Sequence, residues 1–390
     1  MDISEDVLTI VKKDLPFKWE VRQNSVLHSA YFAKDIVEFD KHIDSLLDIF
    51  RVLSYDGVDC TQFFDADLGG VFATTYFELF SGSEPSVVAP KINSEQSLNE
   101  IASAIVWDNR GFDLQRYDGV ENDYIFRLMC MLLMHERDTN NIYSSIKVLS
   151  NDGRLRECGE LLKLLNMKNI AVNENFLHRC LKSSCFDTRR EALAYALRND
   201  ILPASGLYDD CDYYDILNDE LIFLVVANNK IDVISDALKK LSPNESLYYS
   251  YIGALGDTSS IDFLIDVISR ETVISKYASE AFLMITGMDY LDEDATLNDV
   301  HLLREDDDYS ALLPLLDASY IKSWWYSNKH YFETSQRYLM GEKLSEPNFE
   351  RIKSSGNQKQ RLIADIALQS INSNYIRRPL NYNHAREVCS

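Results

Sequence analysis

The residues of this chain best suited to chemistry do not assemble into a reacting set. His178, Cys180 and Cys185 stand in "HRCLKSSC" and are soft metal donors. A zinc site needs four protein ligands, or three and a water, and no second pair stands at a useful spacing. Cysteines on the apolar face of a helix pack as core residues, so no metal is expected. The acidic run "DDDYSALLPLLD" at 306–317 begins like a calcium loop. An EF-hand loop needs glycine at its sixth position, where this run has Ala311, and the run turns apolar too early. The chain has no GxSxG elbow, P-loop, HExxH or GxGxxG. No catalytic residue and no cofactor is expected. An enzyme of the helical-repeat DNA glycosylase kind would need a basic groove on a chain whose net charge is −23.

The candidate functional residues are therefore those of an interface. Residues 201–220 hold six acids and no base, and residues 289–308 hold nine acids and one base. Together these tracts carry −14 of the −23. Tyr208, Tyr213 and Tyr214 interleave with Asp209, Asp210, Asp212 and Asp215. Tyrosine supplies rigid contact area and aspartate supplies steering, a mixture typical of protein hot spots. Glu305, Asp306, Asp307 and Asp308 form a second acidic candidate. The plain alternative for both tracts is a solvated loop. Trp324 and Trp325 lead an aromatic cluster with Tyr326, Tyr331 and Phe332. Adjacent residues on a helix point about 100° apart, so one Trp can pack inward and leave the other to a partner. The alternative here is that the whole cluster packs the C-terminal helices together.

Composition bounds the partner class. A pI near 4.7 repels nucleic acid and an anionic membrane surface, and attracts a basic protein. Seven Cys without a CxxC pair fit a reducing compartment, and the acidic N-terminus "MDISEDVLTI" does not read as a signal peptide. The expectation is a soluble, cytoplasmic protein.

The elements that must position these residues read as helices. Only 14 Gly and 8 Pro occur in 390 residues. In "YIGALGDTSSIDFLIDVIS" at 251–269, two apolar runs flank Gly256-Asp257. Ile261, Leu264, Ile265 and Ile268 fall on one helical face, Asp257 to Ser260 can cap that helix, and Gly256 can end the preceding one. The break is therefore expected to be an inter-helix corner, not a catalytic loop. Similar corners recur, with Leu133, Leu165, Leu197, Ala227, Leu255 and Leu283 in equivalent places at spacings of 32, 32, 30, 28 and 28 residues. A degenerate repeat of this length fits stacked antiparallel helix pairs sharing a continuous core. The expected fold is an all-α, HEAT-like α-solenoid of about a dozen or more helices. Its expected regions are 1–100, N-terminal helical; 101–288, the repeat array; 289–310, an acidic connector; and 311–390, a C-terminal helical cap.

Several stretches resemble a known family. They are His28 to Ala33 followed by "LDIFRVLSYDG" and "GGVFATTYFELFSG", then "GALGD" and "ASEAFLMITG", then Trp324-Trp325, "RYLMGEKL" and "RLIADIALQS". Their order is similar to that of HEAT-like helical-repeat proteins encoded in bacterial type VI secretion clusters, often beside spike and toxin genes. This chain departs from the pattern in its acidity and in the acidic-aromatic stretch near 207–220. The resemblance implies a secretion-system accessory role and supplies no catalytic residues. With the charge, it leads to the expectation of an immunity protein that occludes the basic active site of a cytosol-acting toxin. The alternative is an adaptor or chaperone that loads a toxin onto the secretion spike, with spike components as further partners.

Overall fold

The computed structural model describes residues 5–26, 28, 30–55, 57, 60, 64, 65, 67–83, 96–108, 123–136, 159–199, 201, 238, 241–290, 295–297, 312–334, 336–372 and 375–377. These residues form fourteen α-helices and one two-stranded β-hairpin, so the protein is mostly helical. They cluster into two compact units. One takes its described residues from Met1–Leu27 and Lys34–Ala192, the other from His28–Ala33 and Leu193–Arg377.

The first unit contains α1 (Glu5–Ser25), α2 (Ala33–Tyr55), α3 (Leu68–Phe80), α4 (Gln96–Asp108), α5 (Asp123–His135), α6 (Gly159–Met167), α7 (Glu174–Leu181) and the start of α8 (Phe186–Arg198). The apolar spacing of α2 makes it a core helix: Ile36, Ile43, Leu47, Phe50 and Leu53 lie on one stripe and are all buried. Ile43, Leu47, Phe50 and Leu53 pack with Val11, Leu15 and Trp19 of α1, Phe72, Ala73, Tyr76 and Phe77 of α3, and Trp107 of α4. Trp19 stacks on Phe72 with ring centroids 3.6 Å apart and meets Trp107 edge-on at 5.4 Å. Helix α3 begins after Asp67, whose carboxylate accepts a 2.6 Å hydrogen bond from the Gly70 amide. Gly69 allows α3 to approach α1, since a Cβ there would lie 2.4 Å from the Pro16 carbonyl oxygen. Beyond this core, α3 packs on α4, α4 on α5 and α5 on α6, in chain order.

The second unit contains α9 (Ser246–Leu255), α10 (Ile261–Ile268), α11 (Val273–Thr286), α12 (Ala318–Asn328), β1 (Tyr338–Leu339), β2 (Glu342–Lys343), α13 (Glu346–Ser355) and α14 (Gln358–Ile371). Gly256-Asp257 is an inter-helix corner. Gly256 sits in the left-handed region at φ 67° and closes α9, and the Asp257 carboxylate accepts from the Ser259 amide at the turn that leads into α10. Ile261, Leu264, Ile265 and Ile268 are buried on the expected face, against α11. Gly287 ends α11 in the same way, at φ 61°. The last helix starts at Asn357, whose side chain and that of Gln360 cap each other's backbone amides.

One element departs from the all-helical expectation for 311–390. "RYLMGEKL" folds into a hairpin with Tyr338 opposite Lys343 and Leu339 opposite Glu342. Its two-residue loop, Met340-Gly341, has both residues at positive φ, 55° and 73°. That is the turn whose twist matches two antiparallel strands. The hairpin also answers a chemical need. A helix end leaves carbonyls without intrahelical partners. Arg337 Nε donates to the Leu255 carbonyl at 2.7 Å and the Tyr338 amide to that of Gly256 at 2.9 Å. The Met340 and Gly341 amides donate to the carbonyls of Met284 and Ile285 at 2.7 and 2.9 Å. One hairpin thus closes the ends of α9 and α11 together.

Candidate functional site

Most of the predicted interface lies outside the described residues: Tyr208, Asp209, Asp210, Asp212, Tyr213, Tyr214 and Asp215, and also Glu305, Asp306, Asp307 and Asp308. Trp324 and Trp325 are described, and they lie on α12 in the second unit. Asp317 starts this helix. Its carboxylate accepts from the Ser319 hydroxyl at 2.5 Å and the Tyr320 amide at 2.7 Å, and these bonds hold its pKa below the usual carboxylate value. Ile321 and Trp325, four residues apart, face inward and are buried. Trp325 is only 7% exposed and packs on Phe332 at 5.3 Å, which in turn meets Tyr338 of the hairpin at 4.8 Å. Trp324 is half-buried with its ring edge-on to Phe282 of α11 at 6.1 Å.

The outer face of α12 is made of other residues. Lys322, Tyr326 and Lys329 form one exposed stripe at helical spacing, and Ser323, Ser327 and His330 form the next. Tyr331 follows in a short 3-10 turn, Lys329–Tyr331. Tyr326 is 54% exposed and Tyr331 70%. The Lys329 ammonium lies 4.8 Å from the Tyr326 ring centre, and the His330 and Tyr331 rings lie 3.9 Å apart. From Ala318 to Phe332 there is no acidic residue. The aromatic cluster therefore divides: the tryptophans serve the core in whole or part, and the tyrosines meet solvent beside cations. The sequence placed Tyr326 and Tyr331 in the cluster without separating their face from that of Trp325. The helical angle between Trp325 and Tyr326 was the available signal.

Two buried polar clusters deserve comparison with catalytic arrangements. Lys359 Nζ lies 3.2 Å from Ser250 Oγ and 3.3 Å from a Glu280 carboxylate oxygen, with Lys359 and Glu280 buried. The Lys359 side chain is shared between the serine hydroxyl and the carboxylate, rather than aimed at the serine alone. The cluster instead ties α9, α11 and α14 together. In the first unit Arg22 Nε and the Asp40 carboxylate form a 2.7 Å pair, both fully buried. The Arg22 guanidinium also lies 5.7 Å and 5.3 Å from the rings of Trp19 and Trp107. This pair joins α1 to α2 inside an aromatic wall and faces no solvent.

His178 is exposed and Cys180 buried, so they stand on different faces of α7, and Cys185 is exposed beyond its end. Among the described residues no group of three or more His, Cys, Asp or Glu side chains is arranged to hold a metal ion. Two titratable groups in the first unit, buried Glu100 and partly buried His135, have displaced pKa values. Glu100 on α4 is pushed up to about 7 by burial and by the nearby Glu20 carboxylate, and its Oε2 finds no hydrogen-bond partner. His135 at the end of α5 is pushed down to about 3 by burial and by the charges of Lys168 and Arg22.

No protein-family profile matches the chain, and neither a curated protein nor a solved structure shows significant similarity to it. Among the described residues no helix is long and apolar enough to cross a membrane.

Proposed function

We propose that this chain is a non-enzymatic, HEAT-like protein-binding solenoid that acts in the cytoplasm as an immunity protein of a type VI secretion system. It binds a cognate toxin and covers that toxin's basic active site. The observation that carries the reading is the concentration of −14 of the net −23 in two tracts, one of them threaded with tyrosines. A nuclease or other nucleotide-processing toxin has a cationic groove built for phosphate. Clustered carboxylates compete for such a groove, and aromatic side chains between them add buried contact area. The architecture is supported by the chain-order packing of α3, α4, α5 and α6, since stacked repeats touch chiefly their neighbours. It is also supported by the glycine corners that end α9 and α11. Association is fast and weakens steeply with salt, because steering by unlike charges is screened.

The test is co-purification with the toxin encoded beside the gene, followed by assay of that toxin with and without this chain. Binding with loss of toxin activity is the expected result. Binding with activity intact would replace the immunity role by that of a loading adaptor. No binding would remove both.

A further inference from the structure

The exposed face of α12 has the opposite sign to the acidic tracts and so calls for a different partner chemistry. We propose that this face, formed by Lys322, Tyr326, Lys329, His330 and Tyr331, docks a short acidic protein segment. The inference does not rest on the immunity reading. Three observations carry it. The first is local charge: no carboxylate occurs from Ala318 to Phe332, on a chain of net charge −23. The acids that flank this stretch in sequence are engaged, Asp317 with the start of the helix and Glu333 in a 2.6 Å pair with Lys343. Lys322 and Lys329 are both exposed, and the Lys329 ammonium lies over the Tyr326 ring at 4.8 Å.

The second observation is exposed aromatic area on a rigid base. Tyr326 and Tyr331 are 54% and 70% exposed. Ile321 and Trp325, buried on the opposite face, fix the helix that presents Tyr326. Exposed tyrosines on a fixed element supply contact area at low conformational cost, and their hydroxyls can donate to carboxylates. The third is size. An eleven-residue helix is about 16 Å long, a footprint that suits a few residues of extended chain. A nucleic acid would carry its phosphates past this footprint onto an acidic protein, at about one charge per 1.7 Å of duplex. A short carboxylate segment ends within it.

The test uses the full chain and fluorescein-labelled poly-glutamate, with poly-glutamine of equal length and a single-stranded oligonucleotide as competitors, read by fluorescence anisotropy. Poly-glutamate is expected to bind, poly-glutamine not to bind, and added salt to weaken the complex. Lys322→Glu with Lys329→Glu should weaken it by about tenfold or more. Tyr326→Ser with Tyr331→Ser should weaken it while leaving its salt dependence unchanged. Circular dichroism of both variants, with the wild-type helix signal, keeps unfolding from being read as lost binding. Absence of poly-glutamate binding, or equal binding by the charge-reversed protein, would overturn the proposal. An oligonucleotide that binds more tightly, with the same sensitivity to Lys322 and Lys329, would make the face a nucleic-acid surface instead. Self-association in sedimentation, abolished by the charge reversal, would make the occupant a second copy of this chain and likewise overturn the proposal.

Discussion

Replacing Glu100 by glutamine should change the pH profile of stability in a way that can be worked out beforehand. Glu100 is 6% exposed and its pKa is raised from 4.5 to about 7. The folded state therefore holds a proton that the unfolded chain releases between these values. Stability falls by about 1.4 kcal/mol per pH unit across that window, about 3 kcal/mol in all, and stays low above pH 7. His135 runs the other way. Its pKa is lowered from 6.5 to about 3, so the unfolded chain takes up a proton that the folded one refuses. Stability is lost as pH falls from 6.5 to about 3, by about 5 kcal/mol in all. Between pH 4.5 and 6.5 the two slopes are equal and opposite, so these groups together contribute a plateau. Glu100→Gln removes one slope and leaves the other. The difference in unfolding free energy, variant minus wild type, should therefore climb by about 1.4 kcal/mol per pH unit from 4.5 to about 7 and then level off. Its absolute offset is reduced by about 1 kcal/mol, because the new amide is itself a buried polar group without a full set of partners. Urea denaturation across pH 4 to 8 gives the difference directly. Hydrogen exchange of the α4 amides reads the first unit alone. Parallel profiles for the two proteins would refute the reasoning, because every other titrating group cancels in the difference.

Three further perturbations have definite expected outcomes. Gly287→Ala places a Cβ 2.4 Å from the Met340 carbonyl in a left-handed residue, and should destabilise the second unit by roughly 2 kcal/mol or more. Gly82→Ala, at φ 97° with nothing within 4 Å, is the control for backbone strain alone, and equal losses of urea midpoint in the two variants would discount the hairpin contact. Asp40→Ala removes the buried carboxylate paired with Arg22 and should cost about 3–5 kcal/mol, while a paired apolar replacement, Arg22→Met with Asp40→Leu, should recover most of it in the same denaturation assay. Reversing charge at Asp209, Asp210, Asp212 and Asp215 to lysine should lower toxin affinity and flatten its salt dependence. An unchanged affinity and slope would make that tract a solvated loop.

The features legible in the sequence are those whose cause is local. Gly256 ends α9 because glycine tolerates the left-handed region, and Asp67 and Asn357 start α3 and α14 because their side chains reach amides three residues on. Helical spacing placed Ile261, Leu264, Ile265 and Ile268 on one buried face. Long-range partners left no such mark. Asp40 reads as one more surface acid on α2, yet it is buried by Arg22, eighteen residues earlier. Whole-chain charge also concealed the sign of the α12 face, since an average of −23 says nothing of fifteen residues without a carboxylate.

The hairpin joins three stretches that lie far apart in the chain, "GALGD", "LMITG" and "RYLMGEKL". In the structure they are parts of one joint: Gly256 and Gly287 end two helices, and the strand from Arg337 to Gly341 donates to the carbonyls those ends leave open. A Cβ on either glycine would strike the hairpin backbone, and one on Gly341 would lie 2.6 Å from the Thr286 carbonyl oxygen. Each glycine is therefore required twice, by its own left-handed backbone and by a segment remote in the chain. The same joint fixes the aromatic ladder Tyr338, Phe332 and Trp325, and with it the orientation of α12. The exposed tyrosines and lysines of that helix are thus held by the same contacts that join the hairpin to the ends of α9 and α11.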